Sequence, residues 1–105
     1  MEEKDMNNYS IKSKATYIKE MNISLIQLKE AALSDEEWEV RKAAVKKLTD
    51  QGAIKEVALS DEDSVVRKAA LEKLTDQDTL KEVALGDEDS DVRDAALEKD
   101  RKSVV

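Results

Sequence analysis

Four acidic residues in the last third of the chain have the spacing of a calcium-binding loop. Asp87, Asp89 and Asp91 stand at positions 1, 3 and 5 of such a loop, and Glu98 stands at position 12, as in an EF-hand. That loop needs glycine at position 6 for a sharp turn, where this chain has Val92. The residues from Asp89 onward also follow a helical apolar pattern, so their carboxylates would not converge on one ion. We therefore predict no metal site, and we interpret these acids as groups that stabilise a helix start.

Most of the residue types on which catalysis depends are missing. The 105 residues include no histidine and no cysteine, which removes the imidazole base, the thiolate nucleophile and the thiolate metal ligand. The two glycines are isolated turn residues, so they form no phosphate-binding loop. We predict that the protein is not an enzyme and uses no cofactor.

Three arginines recur in the same local context. Arg41, Arg67 and Arg93 each follow a valine, and an alanine pair comes after the next residue. Each arginine has an acid four residues earlier, which is the favourable order on a helix, and an aspartate six residues earlier. Three equivalent sites are explained more simply by three stacked units than by three active sites. The acids four residues earlier are Glu37, Asp63 and Asp89, and the aspartates six residues earlier are Asp35, Asp61 and Asp87.

A repeat of 26 residues surrounds these arginines. Residues 28–53 and 54–79 agree at 17 of 26 positions, and residues 54–73 and 80–99 agree at 16 of 20. A fixed period of this kind is the signature of a solenoid, in which stacked units bury one another's apolar faces. Charged residues make up 41% of the chain and proline is absent, a composition typical of helices. The sequence therefore predicts an all-helical stack.

Each unit is predicted to be two helices joined by a polar turn. In the middle unit the first helix is short, and its apolar positions run from Ile54 to Leu59. The second helix carries a stripe of Val66, Ala70 and Leu74, and its small alanines let neighbouring helices approach closely. The three first helices are predicted at 28–33, 54–59 and 80–85.

Short polar residues predict where the helices start. Ser34 and Ser60 are expected to cap the second helices, because a serine oxygen accepts hydrogen bonds from free backbone amides. The segment 49–51 is expected to cap the next unit. Ser24 with Gln27 predicts a capping box for a helix at 25–33.

The second helix resembles that of a HEAT repeat. The pattern D-x-x-x-x-V-R-x-x-A-x-x-x-L stands at 35–48 and 61–74 and is similar to the short bacterial and archaeal HEAT-like units. The third copy has Asp100 in place of the leucine. The resemblance implies an all-α, right-handed α-solenoid (superhelix) of stacked helical hairpins, HEAT-like or armadillo-like. The short period leaves open a leucine-rich variant whose first helix is a 3₁₀ segment.

The same resemblance implies a structural role for the recurring aspartates and arginines. In HEAT-like families the equivalent residues bond within and between units. The implied ladder consists of Asp35, Arg41, Asp61, Arg67, Asp87 and Arg93.

We predict one domain made of a cap and three units. Residues 10–21 have the apolar spacing of a helix that would cover the open end of the stack and pack on Leu25 and Ile26. At the other end, Asp100 begins an atypical polar terminus. The predicted segments are a disordered tail at 1–9, an N-terminal helical cap at 10–27, and repeats at 28–53, 54–79 and 80–105, the last with a truncated polar end.

The solvent face of the second helices is the candidate binding surface. In HEAT-like stacks this face lines the concave side, and here its charge changes from basic to acidic along the stack. Trp38 and Val65 add apolar positions, and tryptophan is favoured at binding hot spots. We predict a protein-interaction scaffold or adaptor for partner proteins, acting as a monomer or weak dimer. The candidate protein-binding residues are Trp38, Glu39, Lys42, Lys46, Val65, Lys68, Glu72, Asp91, Asp94 and Glu98.

Two other functions stay open. One is an accessory role related to HEAT-like lyases or regulators, acting on a cofactor-bearing protein. The other is weak nucleic-acid contact through the basic N-terminal half, against which the net charge of −7 argues. The apolar runs are too short to span a membrane and the N-terminus is too polar for a signal peptide, so we predict a cytoplasmic protein. The lysines of the basic half are Lys12, Lys14, Lys19, Lys42, Lys46 and Lys47.

Overall fold

A computed structural model describes residues 24–103, and every regular element in that range is an α-helix. Each odd-numbered helix forms a hairpin with the helix that follows it, and the second helices of successive hairpins pack on one another. The all-helical prediction is confirmed for this range, and the first helices are α-helical, not 3₁₀. The right-handed superhelix stays a prediction. The helices are α1 (Leu25–Ser34), α2 (Trp38–Lys47), α3 (Gln51–Ser60), α4 (Ser64–Lys73), α5 (Gln77–Gly86) and α6 (Ser90–Ser103).

The core lies between the hairpins, where the apolar stripes meet. Val66, Ala70 and Leu74 are fully buried, as the stripe on the second helix predicted. Ile54 of the first helix is also fully buried. Leu59 is partly exposed instead, because five residues of helix rotate it about 140° away from Ile54.

The helix starts partly follow the prediction. Ser24 and Gln27 form the predicted capping box at α1, and Asp50 caps α3 by accepting the Gly52 amide at 2.9 Å. The caps predicted at Ser34 and Ser60 are wrong, since these serines are the last residues of α1 and α3. The turn aspartates that follow them accept the amide two residues on, which delays each second helix. The N-caps of α2 and α4 are therefore Glu37 and Asp63.

The first helices begin earlier than predicted. Helices α3 and α5 start at Gln51 and Gln77, directly after the aspartates that precede them. Unit boundaries drawn after residues 53 and 79 therefore fall inside helices, although the 26-residue period itself is unchanged. The division into a cap and three repeats stays a prediction.

The two ends of the stack differ from its middle. The predicted tail and the helix at 10–21 lie outside the described residues, and Leu25 and Ile26, which we expected to be covered, are exposed. At the other end, α6 runs to Ser103 and passes the position at which α2 and α4 stop. The Oδ1 atom of Asp100 is buried there and has no hydrogen-bond partner in the described part of the chain.

Candidate functional site

Each of the first two arginines joins its own hairpin to the next one. Arg41 donates from Nε and Nη2 to the two carboxylate oxygens of Asp61, at 2.8 and 3.2 Å, and from Nη1 to the Asp35 carbonyl at 2.8 Å. Arg67 donates in the same way to the Asp87 carboxylate at 2.9 and 3.0 Å and to the Asp61 carbonyl at 2.7 Å. The aspartates thus contact arginine within a hairpin through a carbonyl, and between hairpins through a carboxylate.

The third arginine makes the within-hairpin contact. Arg93 donates from Nη1 to the Asp87 carbonyl at 2.6 Å and is half-buried. Within residues 24–103, no carboxylate takes the place that Asp61 and Asp87 occupy at the first two arginines. The Nε and Nη2 edge of Arg93 therefore faces the end of the described stack.

Two of the three acids that stand four residues before the arginines cap their own helices, whereas Glu37 makes no side-chain cap hydrogen bond. Asp63 accepts the Val65 amide and Asp89 accepts the Asp91 amide, both at 2.8 Å. Their side chains are thereby held at the helix N-termini, where a negative charge is stabilised by the free amides and the helix dipole. The four-residue spacing had suggested that these acids pair with the arginines. They cap the helix instead, because the amide that each one accepts is only two residues away in the chain.

The electrostatics favour the ionised state of Asp87 and of the two arginines. Burial favours the neutral form of Asp87, but hydrogen bonds from Arg67 and the Asp89 amide outweigh it and hold the pKa of Asp87 below its ordinary value. The hydrogen bond to Asp61 raises the pKa of Arg41, and the bond to Asp87 raises the pKa of Arg67. These groups stay charged at neutral pH, so the pairs hold hairpins together and do not exchange protons.

A second row of ion pairs joins each of the first two first helices to the aspartate that directly precedes the next first helix. The Nζ atom of Lys29 lies 2.8 Å from Asp50, and that of Lys55 lies 3.9 Å from Asp76. The pairing with Lys29 lowers the pKa of Asp50, and the hydrogen bond from Thr79 lowers the pKa of Asp76. Both ion pairs are exposed to solvent, so salt screens them strongly.

Two lysines at equivalent positions of α4 and α6 contact the previous hairpin. Lys73 donates from Nζ to the Lys46 carbonyl at 2.7 Å, and Lys99 donates to the Glu72 carbonyl. The carbonyls in the last turn of a helix have no partner within it, so each lysine satisfies one such group. Burial lowers the pKa of Lys99.

The candidate binding residues all lie on the second helices. Nine of the ten are exposed and Lys42 is half-buried. Residues 26 positions apart, such as Lys42, Lys68 and Asp94, occupy the same place on successive second helices. Because α2, α4 and α6 pack in order, these places form rows across the stack.

A shallow groove of about 450 Å³ lies on this surface between α4 and α6. The groove brings together Lys68, Glu72 and Glu98 of the predicted set. Sequence reasoning missed its other residues, because it assigned the apolar ones to the core and ended the surface at Glu98. A signal for most of them was present, since positions 95, 98, 99 and 102 share one helical face. The residues that were missed are Leu71, Ala95, Lys99 and Lys102.

Two of the four acids with the calcium-like spacing have structural partners. Asp87 binds Arg67, and Asp89 caps α6. Across the described residues, no three potential ligand side chains are grouped closely enough to hold a metal ion. In that same range, none of the helices combines the length and the apolar character that crossing a bilayer requires.

The fold and its inter-hairpin contacts define a helical-repeat protein. Residues 57–74 match a family model described as a HEAT repeat associated with sister chromatid cohesion. This segment covers the end of α3, the acidic turn and α4, which is where the sequence pattern was read. The match confirms the HEAT-like repeat predicted from the sequence. No curated protein and no solved structure gives a match to the chain.

Proposed function

We propose that the protein is a non-enzymatic scaffold that binds partner proteins on the exposed face of its second helices. HEAT repeats commonly serve protein interaction, and the matched segment contains the whole of α4. The match covers one second helix and part of a first helix. It therefore supports the repeat architecture, and we propose no role in cohesion from it. The right hand of the superhelix and the division into three repeats belong to the same proposal.

The observation that carries the proposal is the difference between equivalent positions on this face. Residues of the core are nearly the same from one hairpin to the next, whereas Lys42, Lys68 and Asp94 occupy one row with two signs of charge. Trp38 and Val65 are both exposed there. Packing alone places no such demand on exposed side chains, but a partner with a matching charge gradient and an apolar contact would.

The contacts between hairpins support the same surface. The second helices contact one another more extensively than the first helices do. In HEAT-like stacks the second helices line the concave side, and a concave face surrounds a partner and buries more area than a flat face of equal length.

The experiment compares partner binding by wild-type protein and by the double variant Trp38→Ala/Lys68→Glu, using immobilised chain and extract from the source organism. We expect the double variant to lose its specific partners. The matched control is Lys81→Glu, which makes the same charge change on the exposed side of α5, a first helix. Equal partner recovery by all three proteins would contradict the proposed face.

A mobility-shift assay at low salt separates this proposal from nucleic-acid contact. Of the lysines in the basic half, Lys46 is exposed on α2, while Lys12, Lys14 and Lys19 lie outside the described residues. We expect no shift with DNA or RNA, because the second and third units each carry a net charge of −3 and repel phosphates. A shift that a Lys42→Glu/Lys46→Glu variant abolishes would favour nucleic-acid binding instead.

A further inference from the structure

The charge on the face of the second helices changes from one helix to the next. Three rows of solvent-facing positions cross α2, α4 and α6 at intervals of 26 residues. Summed over the three rows, the face carries +1 on α2, 0 on α4 and −3 on α6. A partner that crosses the face therefore meets a positive end, a neutral middle and a negative end. The rows consist of Glu39, Val65 and Asp91, of Lys42, Lys68 and Asp94, and of Lys46, Glu72 and Glu98.

These charges do not hold the hairpins together. Within residues 24–103, none of the charged side chains in the three rows forms a hydrogen bond or an ion pair. The buried ion pairs of the stack lie elsewhere, between Arg41 and Asp61 and between Arg67 and Asp87. The change of charge along the face is therefore available to a charged partner.

An apolar floor lies between the neutral and the negative helix. Leu71 and Ala95 line the groove between α4 and α6, beside Glu72 and Glu98. The groove is shallow, so it suits a small side chain of a larger partner, whereas a small-molecule site encloses most of its ligand. We therefore expect the partner to be a macromolecule.

The lysines that border this groove leave the negative end of the face unchanged. Lys99 turns toward α4, where it donates to the Glu72 carbonyl. Lys102 is eight residues after Asp94, which places it about 12 Å further along α6. A basic group over Asp91 and Asp94 is therefore closer to two carboxylates than to Lys102.

The direction in which the charge changes indicates how a partner would lie. On α6 the three positions Asp91, Asp94 and Glu98 are all negative, so a partner that lies along this helix meets acids alone. A segment that crosses α2, α4 and α6 meets both signs. The face therefore favours a crossing segment over a helix that lies parallel to the second helices.

The distance between the helices sets the length of such a segment. Packed helix axes lie about 8–10 Å apart, so α2 and α6 are separated by about 16–20 Å. An extended chain rises about 3.3 Å per residue, so about five or six residues span this distance. A short extended peptide can therefore contact both charged ends at once.

We infer that the face binds an extended segment of a partner protein, with an acidic residue over α2 and a basic residue over α6. The two residues are about six positions apart, and a small apolar residue beside the basic one packs on Leu71 and Ala95. The inference rests on the proposed scaffold function and adds the chemistry and direction of its partner. Because the charges are exposed, they set the orientation of the segment more than its affinity.

The test uses a synthetic peptide probe of about eight residues. It has two aspartates at one end, two arginines at the other, and serine and alanine between them. A nitroxide label is attached to one end or the other, and broadening of the amide signals of the full chain is followed by NMR. We expect the label on the acidic end to broaden Lys42 and Lys46, and the label on the basic end to broaden Asp94 and Glu98.

Two controls isolate the change of charge. A peptide of the same composition, in which aspartate and arginine alternate, should bind about tenfold more weakly, as the loss of several exposed ion pairs would give. The variant Lys46→Glu/Asp94→Lys changes two exposed residues, keeps the net charge at −7 and makes the charge on α2 equal to that on α6. This variant should bind both peptides equally and give no preferred orientation.

The outcomes separate this inference from the scaffold proposal. If both labels broaden the same residues of the face, or if the alternating peptide binds as well as the probe, the inference is wrong and the scaffold proposal stands. If the probe broadens no signal of the second helices at about 1 mM, the inference is also wrong. The scaffold proposal is then decided by partner recovery with Trp38→Ala/Lys68→Glu alone.

Discussion

The stack holds its hairpins together with two rows of ion pairs that look alike in distance and differ in surroundings. Arg67 and Asp87 lie 2.9 Å apart with both side chains 7% exposed, whereas Lys29 and Asp50 lie 2.8 Å apart with side chains 45% and 44% exposed. The buried row has two carboxylate bonds and a carbonyl bond for each arginine. The exposed row has single contacts that water and salt can replace. A short distance therefore says little about strength unless burial and the number of hydrogen bonds are known.

The largest loss of stability is expected from a substitution among the apolar side chains that pack between hairpins beside the buried arginine–aspartate pairs. Leu71→Ala should lower the free energy of unfolding by about 3 kcal/mol, because it leaves a cavity in a closely packed joint. Leu97→Ala, the same change at the equivalent position of α6, should cost less than about 1 kcal/mol, since Leu97 is 47% exposed. Chemical denaturation of both variants measures the difference. Equal costs would mean that the two positions are equally buried in solution.

A loss of similar size is expected from one buried arginine. Arg67→Ala should lower the free energy of unfolding by about 3 kcal/mol, because it leaves the Asp87 carboxylate buried without its cation. The matched control is Arg93→Ala, which should cost about 1 kcal/mol, since Arg93 makes a carbonyl contact and no carboxylate contact in the described stack. Thermal and urea unfolding of the two variants give the comparison. If the two substitutions cost the same, the carboxylate adds nothing to the joint.

The contribution of Asp87 to the stability of the buried row should depend on pH. The pKa of Asp87 is lower in the folded chain than in the unfolded chain, so its contribution to stability is complete above about pH 4. This contribution is lost as pH falls through the folded pKa, because the carboxylate must then take up a proton. The stability difference between wild type and Asp87→Asn should therefore shrink in acid. Asp94→Asn serves as the exposed control. If the stability difference between wild type and Asp87→Asn stays unchanged down to pH 2, the prediction is wrong.

The smallest effect is expected in the exposed row. Lys29→Met should change stability little at low salt, because the pair is surrounded by water. The residual change should disappear at about 1 M salt, where the screening length is about 3 Å. Unfolding of wild type and Lys29→Met at both salt concentrations tests this, with Lys81→Met as the control on an exposed face. A large loss that survives high salt would show that the two rows are energetically alike.

Much of the fold could be predicted because the information is local and repeated. The period of 26 residues, the stripe of Val66, Ala70 and Leu74, and the capping box at Ser24 all depend on residues close together in the chain. The exact helix starts were harder, since Ser34 suits a cap, yet it ends α1 and the turn continues to Glu37 before α2 begins. The candidate surface was predicted as exposed rows, but the groove was not, because its floor of Leu71 and Ala95 belongs to two helices that meet only in the stack.

The sequence by itself determined that this protein is a stack of helical hairpins with a HEAT-like repeat. Apolar spacing and helix propensity act within a few turns of chain, and three similar copies of the unit reinforce the same outcome. Only the tertiary structure decided which partner each acid and arginine takes. Asp63 lies four residues before Arg67 and yet caps its own helix, while Asp87, 20 residues after Arg67, supplies the carboxylate. Stacking brings Asp87 beside Arg67 in a site with little water, where a bidentate pair is stronger than the exposed pair that helical spacing alone would give.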